Sequence, residues 1–207
     1  MTGVRIDKAV ISGVFSLDGQ DFDVDNNVWL VGDDDEVLVV DAPHRAEPII
    51  EAIGGRKVAG IVLTHGHNDH ITAAVALREA VDAPIWFHPA DRMLWDMVYG
   101  EVHPSAVPDA EIADGTRFAV AGTTLQALHT PGHSPGSTCL HAPDLNTVFT
   151  GDTLFCGGPG ATGRSFSDKP TILSSIRGRL LSLHGDTVVR TGHGDDTTIA
   201  AEVGNIA

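Results

Sequence analysis

Thr64-His65-Gly66-His67-Asn68-Asp69-His70 follows the apolar run Ile61-Val62-Leu63 and places three histidines and a carboxylate within six residues. Side chains of an extended segment alternate with period two, so His65 and His67 face the same way. A helix capped by Asn68 or Asp69 would send Asp69 and His70 from its first turn in another direction. Two divergent groups of ligands suit two metal centres better than one. Neutral imidazoles and carboxylates without a thiolate suit Zn first, with Fe or Mn as alternatives.

The same punctuation recurs along the chain. Leu128-His129-Thr130-Pro131-Gly132-His133, Val148-Phe149-Thr150-Gly151-Asp152 and Val188-Val189-Arg190-Thr191-Gly192-His193 each carry an apolar run into a turn that delivers His or Asp, and Val37 to Val40 ends at Asp41. Loops at one edge of a sheet are where functional groups converge on a rigid scaffold, and these five segments predict one shared polar site.

Working outward, β-branched runs at Val28–Val31, Val37–Val40, Ile61–Leu63, Ile85–Phe87, Leu125–Leu128, Thr147–Phe149 and Thr187–Val189 predict strands. Helical spacing covers 48–53, 69–81, 89–98 and 169–183, the last with Ile172, Leu173, Ile176, Leu180 and Leu183 on one face. Strands interspersed with helices predict an α/β class in which helices cover a largely buried sheet system. No linker divides the chain, which reads as a single domain over residues 1–207, with Gly157 to Gly163 as an active-site loop.

The chain has 207 residues, 42% hydrophobic and 20% charged, which excludes a disordered protein. Its 13 Lys and Arg against 28 Asp and Glu give a net charge of −15, which argues against nucleic acid and anionic membrane surfaces as partners. The opening residues lack a secretory signal and no run reaches the length of a membrane span, so the expected location is cytoplasmic. Cys139 and Cys156 are too few for a disulfide framework and read as packing residues.

The pattern His65-x-His67-x-Asp69-His70, followed by His133, Asp152 and His193, resembles the complete ligand signature of the metallo-β-lactamase fold superfamily, from Asp41 through His193. The resemblance implies a four-layer αββα sandwich with the site at one edge of two sheets. It implies that His65, His67 and His133 hold a first metal, Asp69, His70 and His193 a second, and that Asp152 bridges them. Asp41 would be a supporting carboxylate near the metals. The stretches around Gly132-His133, Gly151-Asp152-Thr153 and Thr191-Gly192-His193 look most like the glyoxalase II group of thioester hydrolases. The long glyoxalase II enzymes carry a C-terminal helical domain, whereas this sequence ends 14 residues after His193, so a short form is expected and the thiol carrier need not be glutathione.

Two divalent ions would supply a water-derived nucleophile at neutral pH, with Asp69 orienting it. A thiolate leaves without a proton from the enzyme, because thiol pKa values lie near 8.5, whereas an amide nitrogen needs an acid. The expected substrate is therefore a small thioester or ester, with a low-molecular-weight thiol as the leaving group. A lactone or other ester hydrolase is the nearest alternative. An iron-dependent persulfide dioxygenase, using one metal and part of the ligand set around His65, His133 and Asp152, is the alternative of another class. Arg164 is a candidate for a substrate carboxylate, and Trp95 through His103 for a wall of the entrance. Among the other histidines, His44 and His103 are the candidates for a role at the site; His88, His129, His141 and His184 read as structural.

Overall fold

The computed structural model describes residues 3–206. A long hairpin opens the fold: β1 (Arg5–Leu17) and β2 (Gln20–Gly32) pair along their whole length. Asp18 and Gly19 at its tip both have positive φ, 55° and 71°, the backbone that a two-residue Asp-Gly turn requires. β3 (Glu36–Val40), β4 (Lys57–Val62), β5 (Ile85–Phe87) and β6 (Ala110–Glu111) continue the sheet in sequence order, parallel to one another from β3 onward.

The second sheet is built from β7 (Arg117–Val120), β8 (Thr123–His129), β9 (Thr138–Ala142), β10 (Thr147–Gly151), β13 (Val188–Thr191) and β14 (Thr197–Thr198). A separate small ribbon pairs β11 (Leu154–Phe155) with β12 (Gly158–Pro159). Within the second sheet β10 and β13 are parallel and the other pairs antiparallel.

Alternation along single strands divides the core into layers. Val28, Leu30, Val37, Val39 and Ile61 face α1 (Ala46–Ile53), α3 (Ala74–Val81) and α4 (Arg92–Tyr99), packing with Ile49, Leu77 and Trp95. Their neighbours Trp29, Val31, Leu38, Val40 and Val62 face the other way, onto Phe118, Leu125, Leu140 and Phe149 of the second sheet. Cys139, Val148 and Val189 on the outer side of that sheet pack with Ile172 of α5 (Lys169–Ser175), Ile176, Leu180 and Ile199 of α6 (Ile199–Glu202). The result is the expected αββα sandwich.

Two helices differ from the sequence reading. The expected helix over 69–81 is divided into α2 (Asn68–Ile71) and α3. The buried Tyr99 hydroxyl donates to the carbonyls of Ile71 and Thr72, and the Ala73 N–H turns to Ala42 O at 2.9 Å, so the ladder is interrupted there. The helix expected over 169–183 loosens after Ser175 into one wide turn, in which Leu181 N–H reaches back to Ile176 O. Among the described residues, no helix is long and apolar enough to cross a membrane.

Candidate metal centre

The carboxyl ends of β3 and β4 present Asp41 and the loop Thr64–His67, while the ends of β10 and β13 present Asp152 and His193 from the other sheet. His133 arrives on the turn between β8 and β9. Hydrogen bonds fasten the two sheets at this edge. Asn27 N–H donates to Gly192 O at 2.8 Å, the Trp29 indole N–H to Thr191 O at 3.0 Å, and Thr138 N–H to Thr64 O at 2.8 Å. α2 begins one residue earlier than expected, with His67 as its cap, and the Asn68 side chain instead bonds Ser16 N–H and Val14 O of the hairpin.

All seven expected ligands meet. His67 Nδ1 lies 3.1 Å from His65 Nε2 and 2.9 Å from His133 Nε2. Asp69 Oδ2 is 3.3 Å from His193 Nε2 and 3.6 Å from His70 Nε2. Asp152 reaches both groups: Oδ1 is 3.3 Å from His70 Nε2, and Oδ2 is 3.4 Å from His193 Nε2 and 3.6 Å from His133 Nε2. Gly192 is what allows this approach, because a Cβ there would stand 2.3 Å from Asp152 Oδ1 and 2.9 Å from His70 Cε1.

Four of the five ring nitrogens facing away are fixed one by one, while the fifth, His67 Nε2, is buried without a hydrogen-bond partner among the described residues. Asp41 accepts Thr64 N–H at 2.7 Å, the Thr64 hydroxyl at 2.9 Å and His70 Nδ1 at 2.8 Å. With its hydrogen given to Asp41, the Thr64 oxygen accepts from His65 Nδ1 at 3.1 Å. His133 Nδ1 donates to Ala161 O and His193 Nδ1 to Asp25 O. Four Nε2 atoms therefore turn toward the centre, an orientation that outer partners impose on metal-binding histidines.

Electrostatics divide the site. Burial pushes His65 well below the ordinary histidine range and His67 to about 3, and neighbouring imidazoles add to the effect. At His70 burial is outweighed by Asp152, Asp69 and Asp41, which hold it well above that range, and Asp152 and Asp69 raise His193 to about 10 against burial. Burial opposes the charge of Asp152 as well, but His70 and His193 keep it well below the usual carboxylate value. Neutral nitrogens 3.1 Å apart repel through their lone pairs unless a proton or cation stands between them. Carboxylates crowding two imidazoles call for positive charge in the same way. Three groups can hold an ion: His65, His67 and His133; His65, His70 and Asp152; and Asp69, His70 and His193. The residues fit divalent metal.

Above them lies a cavity of about 480 Å³ whose apolar wall includes Phe15, Val24, Phe155 and Ala161. The Phe15 ring stands 5.2 Å from that of His67. Three expectations about substrate residues change here. Trp95 is fully buried in the helical layer, its indole N–H bonded to Ala106 O, and does not wall the entrance. His103 is exposed on the segment after α4 and lies outside the cavity lining. Arg164 also lies outside that lining: its guanidinium covers the Phe22 ring at 4.6 Å and donates to Gln20 Oε1 at 2.9 Å, so it fastens the glycine-rich loop to the hairpin tip. Cys139 is a buried packing residue whose thiol burial raises to about 11, while Cys156 is exposed.

Sequence reasoning missed Asp91 and Asn26. Asp91 is wholly buried and accepts from Gly66 N–H at 2.8 Å, Gly136 N–H at 2.5 Å and the Ser134 hydroxyl at 2.6 Å, joining the His65–His67 loop to the His133 loop. A carboxylate within Pro89-Ala90-Asp91 carries no local sign of that task. Asn26 lies directly against Asp69, His70 and His193.

Comparison with known proteins agrees with this geometry. A family model described as the metallo-beta-lactamase superfamily matches residues 22–193. The hydroxyacylglutathione hydrolase GloC of Haemophilus influenzae is 34% identical over 188 residues, covering 85% of this chain and 89% of that protein. The crystal structure of the BLEG-1 B3 metallo-beta-lactamase superposes with a TM-score of 0.78 at 26% identity, covering 94% of this chain and 97% of that one. TTHA1623 in a di-iron-bound form gives 0.77 at 32% identity, covering 86% and 92%. The seven side chains at the sheet edge and these similarities lead to one conclusion: the chain belongs to the metallo-beta-lactamase superfamily.

Proposed function

We propose that this metallo-hydrolase cleaves small thioesters, with His65, His67 and His133 holding one divalent ion, Asp69, His70 and His193 a second, and Asp152 between them. The observation that carries the reading is the convergence of these side chains beneath an apolar-walled cavity, whose lining includes His67, Asp69, His133, Asp152 and His193. Bound there, divalent ions lower the pKa of coordinated water from 15.7 toward about 7 and polarise a carbonyl. The chain's own residues do the rest. Asp41 and Thr64 hold His70 and His65 in one orientation, and Asp69 has a carboxylate in the lining of the cavity, where it can accept a hydrogen bond from an attacking water. Phe15, Val24 and Phe155 exclude bulk water from an acyl group lying over the floor.

The choice of thioester follows from the leaving group. Among the described residues no lysine, arginine or tyrosine lines the cavity, and its histidines are taken up as proposed metal ligands, so no group is left to protonate a departing amine, whereas a thiolate needs no such proton. The GloC relative bears the name of an enzyme acting on a glutathione thioester, which supports the same reading. Iron and zinc are both compatible with five imidazoles and two carboxylates, and the di-iron form of TTHA1623 makes iron the first alternative to test.

Metal analysis of the purified protein, followed by thiol release from a panel of acyl thioesters, tests the proposal. Two ions per chain and faster turnover of thioesters than of β-lactams or amides are expected. Oxygen uptake with a persulfide and no thiol release from any thioester would transfer the assignment to a dioxygenase. Asp152→Ala should lower turnover by more than about 100-fold, beyond the 10–100-fold typical of outer partners, with the fold retained, while His141→Ala and His184→Ala leave it near wild type.

A further inference from the structure

Asn26, near the middle of β2, is completely buried. Its Nδ2 lies 3.1 Å from Asp69 Oδ2, 3.2 Å from His70 Nε2 and 3.4 Å from His193 Nε2. Those three atoms are themselves separated by 3.6 Å, 3.3 Å and 3.2 Å. Six edges between 3.1 and 3.6 Å describe a nearly regular tetrahedron. A regular tetrahedron of edge about 3.3 Å has its centre about 2.0 Å from every corner, which is the bond length of Zn to nitrogen and oxygen ligands.

The amide is held in place by more than this face. Asn26 Oδ1 pairs with His44 Nε2 at 2.8 Å. His44 in turn occupies a slot opened by Gly13 on β1, where a Cβ would stand 2.2 Å from the imidazole ring. The His44 backbone has φ of 52°, an unfavourable conformation for a side-chain-bearing residue that this packing sustains.

An amide presents either its –NH2 or its oxygen to one side, and the two are exchanged by a half-turn of the terminal group. Facing two imidazole nitrogens and a carboxylate, –NH2 is the favoured end. A divalent ion held by the same three atoms reverses that preference, because it claims their lone pairs and repels the amide hydrogens. The geometry points to Asn26 as a further ligand of the second metal through Oδ1, with Nδ2 then donating to His44 Nε2. This rests on the two-metal reading above and adds a neutral oxygen donor to a set otherwise made of Asp69, His70, His193 and Asp152. The half-turn keeps the His44 contact in either state, so the residue serves both metal-free and metal-loaded protein without moving its backbone.

The alternative role is that of a hydrogen-bond donor that orients Asp69 through Nδ2. Two substitutions separate the roles. The whole protein, stripped of metal, is titrated with Co(II) or Zn(II), and stoichiometry, both dissociation constants and the visible bands of bound Co(II) are read. For Asn26→Ala the second constant should rise by about tenfold or more while the first changes little, and the bands of the second Co(II) should shift. Asn26→Asp is isosteric, keeps an oxygen for the ion and loses the N–H donor. It should bind the second ion at least as tightly as wild type, because a carboxylate oxygen offers a divalent ion more charge than an amide oxygen. Where Asn26→Ala does not fold, Asn26→Asp decides by itself. An Asn26→Asp protein that loses the second ion as Asn26→Ala does would assign the donor role and overturn the proposal, as would an Asn26→Ala protein with wild-type constants and bands. Wild-type protein that takes up a single ion overturns the two-metal reading and this inference with it.

Discussion

The Asp91 carboxylate accepts the Gly66 backbone N–H at 2.8 Å, and through it a residue outside the ligand set positions the loop between His65 and His67. Its remaining hydrogen bonds come from Gly136 N–H and the Ser134 hydroxyl, just after His133. Burial pushes the Asp91 carboxyl up, against the three donors that favour its charge. Leu94 packs on the same glycine, where a Cβ would come within 2.7 Å of it. The three imidazoles of the first group thus share one buried support.

Asp91→Ala should therefore act on both stability and metal. It leaves the buried Gly66 and Gly136 N–H groups without an acceptor, each costing about 1–3 kcal/mol, and the Ser134 hydroxyl with only Ser137 Oγ, so the urea midpoint should fall clearly. Metal titration should show weakening mainly of the ion held by His65, His67 and His133. A variant with an unchanged midpoint and unchanged first-ion affinity would contradict the positioning role.

Gly192→Ala tests the close approach of Asp152. The added methyl would meet Asp152 Oδ1 at 2.3 Å, so the carboxylate must move while the surrounding core remains. The expected result is a folded protein with reduced metal content and turnover lowered by about tenfold or more. Wild-type metal content together with wild-type turnover would show that Asp152 does not need its present position.

Arg164→Ala separates a fastening role from a substrate anchor. The guanidinium is engaged with Phe22 and Gln20, and the next residue, Ser165, donates its N–H to Asp18 of the hairpin turn. Loss of this surface contact should cost no more than about 1 kcal/mol. Any rise in KM should be equal for neutral and carboxylate-bearing acyl groups. A rise confined to carboxylate-bearing substrates would restore Arg164 as their anchor.

His88 supplies a pH signature. Its ring is stacked on His129 with centroids 4.2 Å apart, and burial first, then His129, lowers its pKa from 6.5 to about 4. Below pH 6.5 the unfolded chain binds a proton that the folded chain refuses until about pH 4, so this group's contribution is complete above 6.5 and is lost as the pH falls. The gap in urea midpoint between wild type and His88→Gln should be constant above pH 6.5 and change in the variant's favour below it. Parallel curves from pH 7.5 to 4.5 would exclude the titration.

What the sequence determines here is local or repeated. Period-two alternation through Val28–Val31 and Val37–Val40 sets two buried faces, and the turns ending at Asp41, His65–His70, His133, Asp152 and His193 mark one sheet edge. Neighbouring residues carry that information themselves, so most central strands and the convergence of seven polar side chains were legible, while the four layers followed from the family resemblance. Tertiary structure decided the rest. The exposed alternation of β1 concealed the hairpin, although Asp18-Gly19 announces its turn. The hydroxyl of Tyr99, 28 residues from Ile71, interrupts a helix whose local spacing is unbroken. Trp95 and Asp91 differ in partner only because α4 and its preceding turn meet other segments, which no spacing records. Asn26, His44 and Gly13 come from three elements and acquire a common role only when β1, β2 and the segment after β3 are folded together, because a hydrogen bond or a steric slot depends on distance in space rather than along the chain.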